Sequence, residues 1–197
     1  FNISPCGVRY LYLSKINTNK MKKLIALFAP ALLLVACNSV EQFRAPIEAL
    51  ATDWDKVTAS VTETGGMIGA AQASLASLND SLMVDPKLAA KMKPEASASL
   101  DSIKAGFASQ LEGIGGLASE VAAFTTSWGE LTTKLNTLKE GLAAGKLEGD
   151  VMAQIDELKN AVVDATSKSE GWVSKLNDAK ASAMAAYDMY KQKASGM

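Results

Sequence analysis

Three long stripes of apolar residues, each advancing in alternating steps of four and three, constrain this chain more than any other feature. The first runs Phe43, Ile47, Leu50, Trp54, Val57, Val61, Thr64, Ile68, Ala71, Leu75, Leu78, Leu82. The second runs Leu100, Ile103, Phe107, Gln110, Ile114, Leu117, Val121, Phe124, Trp128, Leu131, Leu135, Leu138, Leu142. The third runs Val151, Ile155, Leu158, Val162, Ala165, Ser169, Trp172, Leu176, Ala179, Ala183, Ala186, Tyr190, so that only Thr64, Gln110 and Ser169 interrupt the pattern with polar side chains. Such spacing keeps a narrow apolar face in line along a helix, as in the seam of a coiled coil. No alternation of period two competes with it, and the chain is predicted to be all-α.

Punctuation divides the stripes into helices. Asp85-Pro86 has the form of an N-cap followed by the first residue of a short helical segment, and Pro94 suits the opening turn of the second long helix. Gly145 marks the end of that helix, and Gly149-Asp150 marks the start of the third. Ser39 and Gln42 have capping-box spacing, but Pro46 is expected to kink that helix or move its start to about residue 46. Helices are therefore predicted at about 40–83, 95–144 and 150–193, within a three-helix domain spanning 46–197. At ~1.5 Å per residue each is roughly 65–75 Å long. Short connections make neighbours antiparallel, which gives a long three-helix antiparallel coiled-coil bundle with up-down-up topology. A monomer is expected; longer helices that do not fold back, paired in a homo-oligomer, are the alternative.

Matching the helices in length places Trp54 opposite Trp128. The same register sets Gly65, Gly66 and Gly69 beside Gly113, Gly115 and Gly116, level with the alanine-rich stretch 179–186. Two readings stand for these six glycines. They form a close-packed waist where backbones approach, or a hinge, since a helix-interior glycine costs about 0.5–1 kcal/mol relative to alanine.

Charge is unevenly distributed. Residues 1–36 hold Arg9, Lys15, Lys20, Lys22 and Lys23 and no acid, while all 21 acidic residues and 15 of the 20 basic ones follow, leaving that part at about −6. An acidic rod has no basic footprint with which to collect phosphates, so no nucleic-acid partner is expected. Histidine is absent and the only cysteines are Cys6 and Cys37. No zinc site, disulfide framework or Cys/His nucleophile pair can therefore be built within the mature domain, and neither a metal nor a diffusible cofactor is expected.

Glycine-rich strings that superficially suggest nucleotide loops fail on context. Residues 65–69 and 113–116 lie inside helical periods with no preceding strand, and in 141–146 the glycines stand one residue too close, with Leu147 where a metal-binding hydroxyl is required. The three tryptophans lie on the seams and read as core. No carboxylate occupies a seam position where burial could raise its pKa. No catalytic residue is assigned, and the chain is not expected to be an enzyme.

The N-terminal part reads as an address. Residues 1–20 have no helical or strand period and are expected to lie upstream of the natural start at Met21. Met21-Lys22-Lys23 then forms a basic segment, followed by thirteen apolar residues from Leu24 to Ala36. Thirteen residues reach about 20 Å as a helix, short of the ~30 Å hydrocarbon core of a membrane. Leu34-Val35-Ala36-Cys37 resembles the lipobox of bacterial lipoproteins. That resemblance implies that 21–36 is a signal peptide removed before Cys37, and that the Cys37 sulfur takes a diacylglyceryl group while its new amino group takes a further acyl chain such as palmitate. It also implies that residues 37–45 join a lipid anchor to the domain. At ~0.8 kcal/mol per buried methylene, two or three such chains hold a protein on a membrane almost permanently. With Asn38 following the cysteine, the resemblance implies the outer membrane in a Gram-negative cell and the cell membrane otherwise.

With the anchor at one end, the up-down-up path carries the 83–95 connection and the C-terminus to the other. Lys87, Lys91, Lys93, Lys191 and Lys193 are thereby predicted to gather in a basic tip, a candidate contact for an envelope protein or an anionic polymer. The expected function is that of a lipid-anchored structural or interaction element of the cell envelope. The alternative is a binding module whose amphipathic helices hold an amphiphile or a partner helix.

Overall fold

A computed structural model describes residues 40–195 of the chain. Among the described residues, and after a helical Val40 and Glu41, run the helices α1 (Arg44–Asp80), α2 (Pro86–Ala89), α3 (Pro94–Ala143) and α4 (Val151–Ser195). The three long ones pack pairwise, each against both others, and no strand occurs among the described residues. The protein is thus an all-α three-helix bundle, with α3 antiparallel to α1 and α4.

Each break in the helical path has a local cause. Val40 and Glu41 are helical, and a turn in which the Phe43 N–H donates to the Val40 carbonyl (3.0 Å) leads into α1 at Arg44. Pro46 falls in the first turn, where its missing N–H would have had no helical partner, so it neither kinks α1 nor delays it to residue 46. Ser39, half of the expected capping box, lies outside the described residues.

α1 stops at Asp80 rather than running to residue 83. The Ser81 hydroxyl bonds back to the Leu78 carbonyl at 2.6 Å, and Asp85, before a proline, is held extended (φ −54, ψ 130). The Asp85 carboxylate then accepts the Lys87 N–H at 2.7 Å and caps α2, as its Asp-Pro spelling predicts. Leu82, 0 % exposed, plugs this end of the core.

At the opposite end, the Lys146 N–H bonds to the Gly141 carbonyl (2.8 Å) and the Gly145 N–H to that of Leu142 (3.1 Å). This is the Schellman pattern, and it needs the left-handed backbone that Gly145 supplies at φ 69. Gly149 supplies a second left-handed turn at φ 73, after which the Asp150 carboxylate accepts the Ala153 N–H at 3.0 Å and caps α4.

The core is the three stripes closed on one another. Every side chain classed as buried among the described residues occupies a seam position, from Ile47 and Leu142 at one end to Leu82, Leu100 and Tyr190 at the other. The two polar interruptions that are buried, Thr64 (1 % exposed) and Ser169 (2 %), meet each other, with oxygens 3.0 Å apart. Gln110, the third, is half-buried at the edge. The α3–α4 register holds over most of their length: Lys134 pairs with Glu157 (2.6 Å), the Trp172 indole reaches Glu120 (3.1 Å), and Lys193 donates to Ser99.

The glycines correct one expectation. A Cβ added to Gly66, Gly69, Gly113 or Gly116 would meet nothing within 4 Å, and at Gly65 and Gly115 it would find ordinary contacts at 3.6 and 3.7 Å. No backbone approaches closely enough to require glycine at any of the six, because they flank the seams instead of occupying them. Ala71, Ala183 and Ala186, small residues that do enter the core, lie past Gly65, Gly66 and Gly69, toward the far end of the bundle.

Candidate functional site

Four aromatic rings cross the bundle in sequence. Trp54 of α1 stacks on Trp128 of α3 with ring centroids 3.7 Å apart and planes at 9°, as the length-matched register predicts. Phe124, one turn before Trp128, lies 5.7 Å from it and meets Trp172 of α4 edge-on at 5.3 Å and 69°. Pairs with the centroid separations that Phe124 makes to Trp128 and Trp172 add about 0.5–1.5 kcal/mol each beyond the area they bury.

The indole N–H groups of the stacked pair are satisfied reciprocally. Trp54 Nε1 donates to Thr132 Oγ1 (3.0 Å), and Trp128 Nε1 donates to Thr58 Oγ1 (2.9 Å). Each threonine stands one turn after the opposite tryptophan and gives its own proton to that tryptophan's carbonyl, both at 2.8 Å. The signal was present in the sequence as two Trp-x-x-x-Thr strings, 54–58 and 128–132, but the hydroxyls lie outside the seams and periodicity alone does not single them out.

Outside Phe124 and Trp172, α3 and α4 leave a shallow groove of about 680 Å³. Its floor is Phe124, Leu131 and Trp172, and its rim is charged. Lys168 pairs with Asp164 (2.8 Å) and lies 5.5 Å from the centre of the Phe124 ring, while Lys175 stands 3.7 Å from the Glu120 carboxylate that accepts the Trp172 indole. The rim charges are thus largely matched within the chain, and the apolar floor is the part offered to a ligand.

A hydroxyl cluster joins α1 to α4 close by. Thr64 donates to the Ser60 carbonyl (2.8 Å), and Ser169 lies 3.0 Å from both Thr64 Oγ1 and Ser60 Oγ. If all three contacts are hydrogen bonds, one proton per hydroxyl fixes their direction: Ser60 gives to Ser169, Ser169 to Thr64, and Thr64 to the backbone. Such a chain uses its protons internally.

A phenol and an ion pair elsewhere have their titrations displaced. Burial, aided by the nearby Asp101 charge, pushes the Tyr190 phenol up. Hydrogen bonding to Arg44 pulls the Glu41 carboxyl down and raises the Arg44 guanidinium. Neither change produces an acid and a base facing a common cavity. No group of three or more carboxylate or cysteine ligands able to hold a metal occurs among the described residues.

Of the residues singled out in the sequence, Cys37 lies outside the described ones. Lys87, Lys91, Lys93, Lys191 and Lys193 do come to one end of the bundle, as the contact from Lys193 to Ser99 shows. That end is nonetheless not basic in sum. Residues 80–101 and 188–195 include Asp80, Asp85, Glu95, Asp101 and Asp188, which match the five lysines in number. Gly65, Gly66, Gly69, Gly113, Gly115 and Gly116 share a level but form no common pocket. No helix among the described residues is long and apolar enough to cross a membrane. Compared with known protein families, characterised proteins and solved structures, the chain shows no significant match.

Proposed function

We propose that this chain is a lipid-anchored helical protein of the cell envelope, held through Cys37, that acts as a structural or interaction element. The reading assigns it no catalytic role, no metal and no cofactor beyond the covalent lipid. The observation that carries it is the closure of all three seams into one continuous core. A rod with its apolar stripes already satisfied is suited to spacing and contact, and would have to open before it could enclose a ligand. The lipobox-like Leu34-Val35-Ala36-Cys37, a few residues before the first helical turn, supplies the tether. In this reading the partners are a membrane and an envelope protein or anionic polymer at the lysine-bearing end, and the protein is a monomer in the outer membrane or, without one, the cell membrane.

The test is the processed protein itself. Intact mass should show acyl chains on Cys37 at the new N-terminus, and Cys37→Ser should move the protein from the membrane to the soluble fraction. A mature chain with an unmodified cysteine, or a serine variant still sedimenting with membranes, would overturn the reading.

A second reading is favoured by one observation, the half-buried Phe124 on the groove floor beside Trp172. A binding module would hold an amphiphile there. Hydrophobic-dye binding to residues 37–197 that is lost in Phe124→Ser would favour it over a closed rod, which binds little.

A further inference from the structure

The end of the bundle nearest the tether differs in character from its sides. Val40, Phe43 and Leu147 are half-buried around a shallow groove of about 310 Å³, Val151 closes it from inside, and Met152 stands 48 % exposed at its edge. The charges at this end are already engaged. Glu41 pairs with Arg44, Lys146 with Glu148 (3.1 Å), and the Asp150 carboxylate caps α4. Along the sides the balance is different: residues 45–79, 102–145 and 153–187 carry 13 acids against 8 bases.

Chain length then limits where this end can be. Three residue steps separate Cys37 from Val40, a reach of about 11 Å at most when fully extended. A cysteine whose acyl chains enter the bilayer sits at headgroup depth, so the Val40 end stays within one headgroup layer of the lipid. From the anchored reading, on which this step rests, we infer that the surface formed by residues 40–44 and 146–152 is a membrane-contact foot. It seats Phe43, Leu147 and Met152 on the phospholipid interface, and the rod stands away from the bilayer instead of lying along it. An anionic leaflet works in the same direction, since it repels the sides, at a net −5, more than the foot, where Glu41, Glu148 and Asp150 stand against Arg44 and Lys146 for a net −1. The opposite end is carried about 75 Å out by the 50 residues of α3.

The experiment uses the lipidated protein in vesicles of phosphatidylethanolamine and phosphatidylglycerol, with one free thiol at a time labelled by an environment-sensitive fluorophore. Probes at Met152→Cys and, as a second foot position, Lys146→Cys should shift to the blue and lose fluorescence to a headgroup-level lipid quencher. Probes halfway along each helix, at Glu63→Cys, Ser119→Cys and Glu170→Cys, and at the far end, at Lys91→Cys, should do neither. Quenching at any mid-length position would show a rod lying on the surface and overturn the inference. So would foot probes that remain as solvated as the one at residue 91. Intact mass separates the two levels of failure: with acyl chains present on Cys37 a negative result refutes the foot alone, whereas their absence refutes the anchor and the foot with it.

Discussion

Replacing Thr64 by valine keeps the shape of a side chain that is 1 % exposed while removing the oxygen that accepts from Ser169. The Ser60 carbonyl loses one of its donors but keeps its helical partner, so the penalty falls on Ser169, itself 2 % exposed. A buried donor left without its acceptor costs about 1–3 kcal/mol. The remaining 3.0 Å contact to Ser60 offers Ser169 a partial alternative, which puts Thr64→Val at about 1–2 kcal/mol. Ser169→Ala strands less. Ser60 is exposed and can turn to water, and the Thr64 proton still reaches its carbonyl, so about 1 kcal/mol is expected. In the double variant both buried hydroxyls are gone and nothing is left to satisfy. Its cost should fall below the sum of the singles by about 1 kcal/mol, because removing both partners of a buried bond is nearly neutral. Urea unfolding of residues 37–197 followed by helical circular dichroism measures all four proteins, and in a chain of this size 1 kcal/mol corresponds to about 2–4 °C in Tm. Strict additivity of the two substitutions would refute the coupling and the proton order assigned to the cluster.

The aromatic crossing makes a sharper demand: Trp54→Ala should cost about 3–5 kcal/mol as a large core truncation, and Thr58→Val or Thr132→Val about 1 kcal/mol each by leaving an indole N–H unpaired. Cheap threonine variants in the same urea assay would argue against the reciprocal bonds. Ala substitution at Gly66, Gly69, Gly113 or Gly116 should stabilise by about 0.5–1 kcal/mol each, since the new methyl meets open space in a helix. Gly141→Ala should destabilise, because its Cβ would lie 2.7 Å from the Lys146 carbonyl; the opposite order of melting temperatures would contradict the packing described. Tyr190 keeps its proton in the folded state to higher pH than in the unfolded chain, so its contribution is intact below the ordinary phenol range and declines as pH rises through about 10 and beyond. The stability of Tyr190→Phe should fall less steeply over that alkaline window, and an identical slope would count against burial as the cause.

Much of this architecture is legible in the residues because a coiled-coil seam is a one-dimensional code. Every seam position from Phe43 to Tyr190 is buried or half-buried, and Asp85-Pro86, Pro94, Gly145 and Gly149-Asp150 act where local backbone chemistry predicts. What failed required angle as well as height. Level along the helices sets Gly66 and Gly69 beside Gly113 and Gly116, but each stands one or two residues from its nearest seam position and is turned roughly 100–160° from it. Those glycines therefore face outward. Charge depends on placement in a similar way: the turns that carry the five lysines to the far end bring Asp80, Asp85, Glu95, Asp101 and Asp188 with them. The meeting of Thr64 with Ser169 lay beyond periodicity, since it depends on how far α4 is offset from α1, a quantity set by both intervening connections.

Heptad stripes have a general weakness, in that sliding one helix by seven residues presents leucine and valine to nearly the same neighbours. The Trp54–Trp128 crossing removes that degeneracy. A seven-step displacement would separate the two rings by about 10 Å at 1.5 Å per residue and strand both indole nitrogens at once. Because the arrangement reads the same from either helix, one local lock fixes the vertical position of α3 on α1, and with it the height at which everything else on the shaft is displayed.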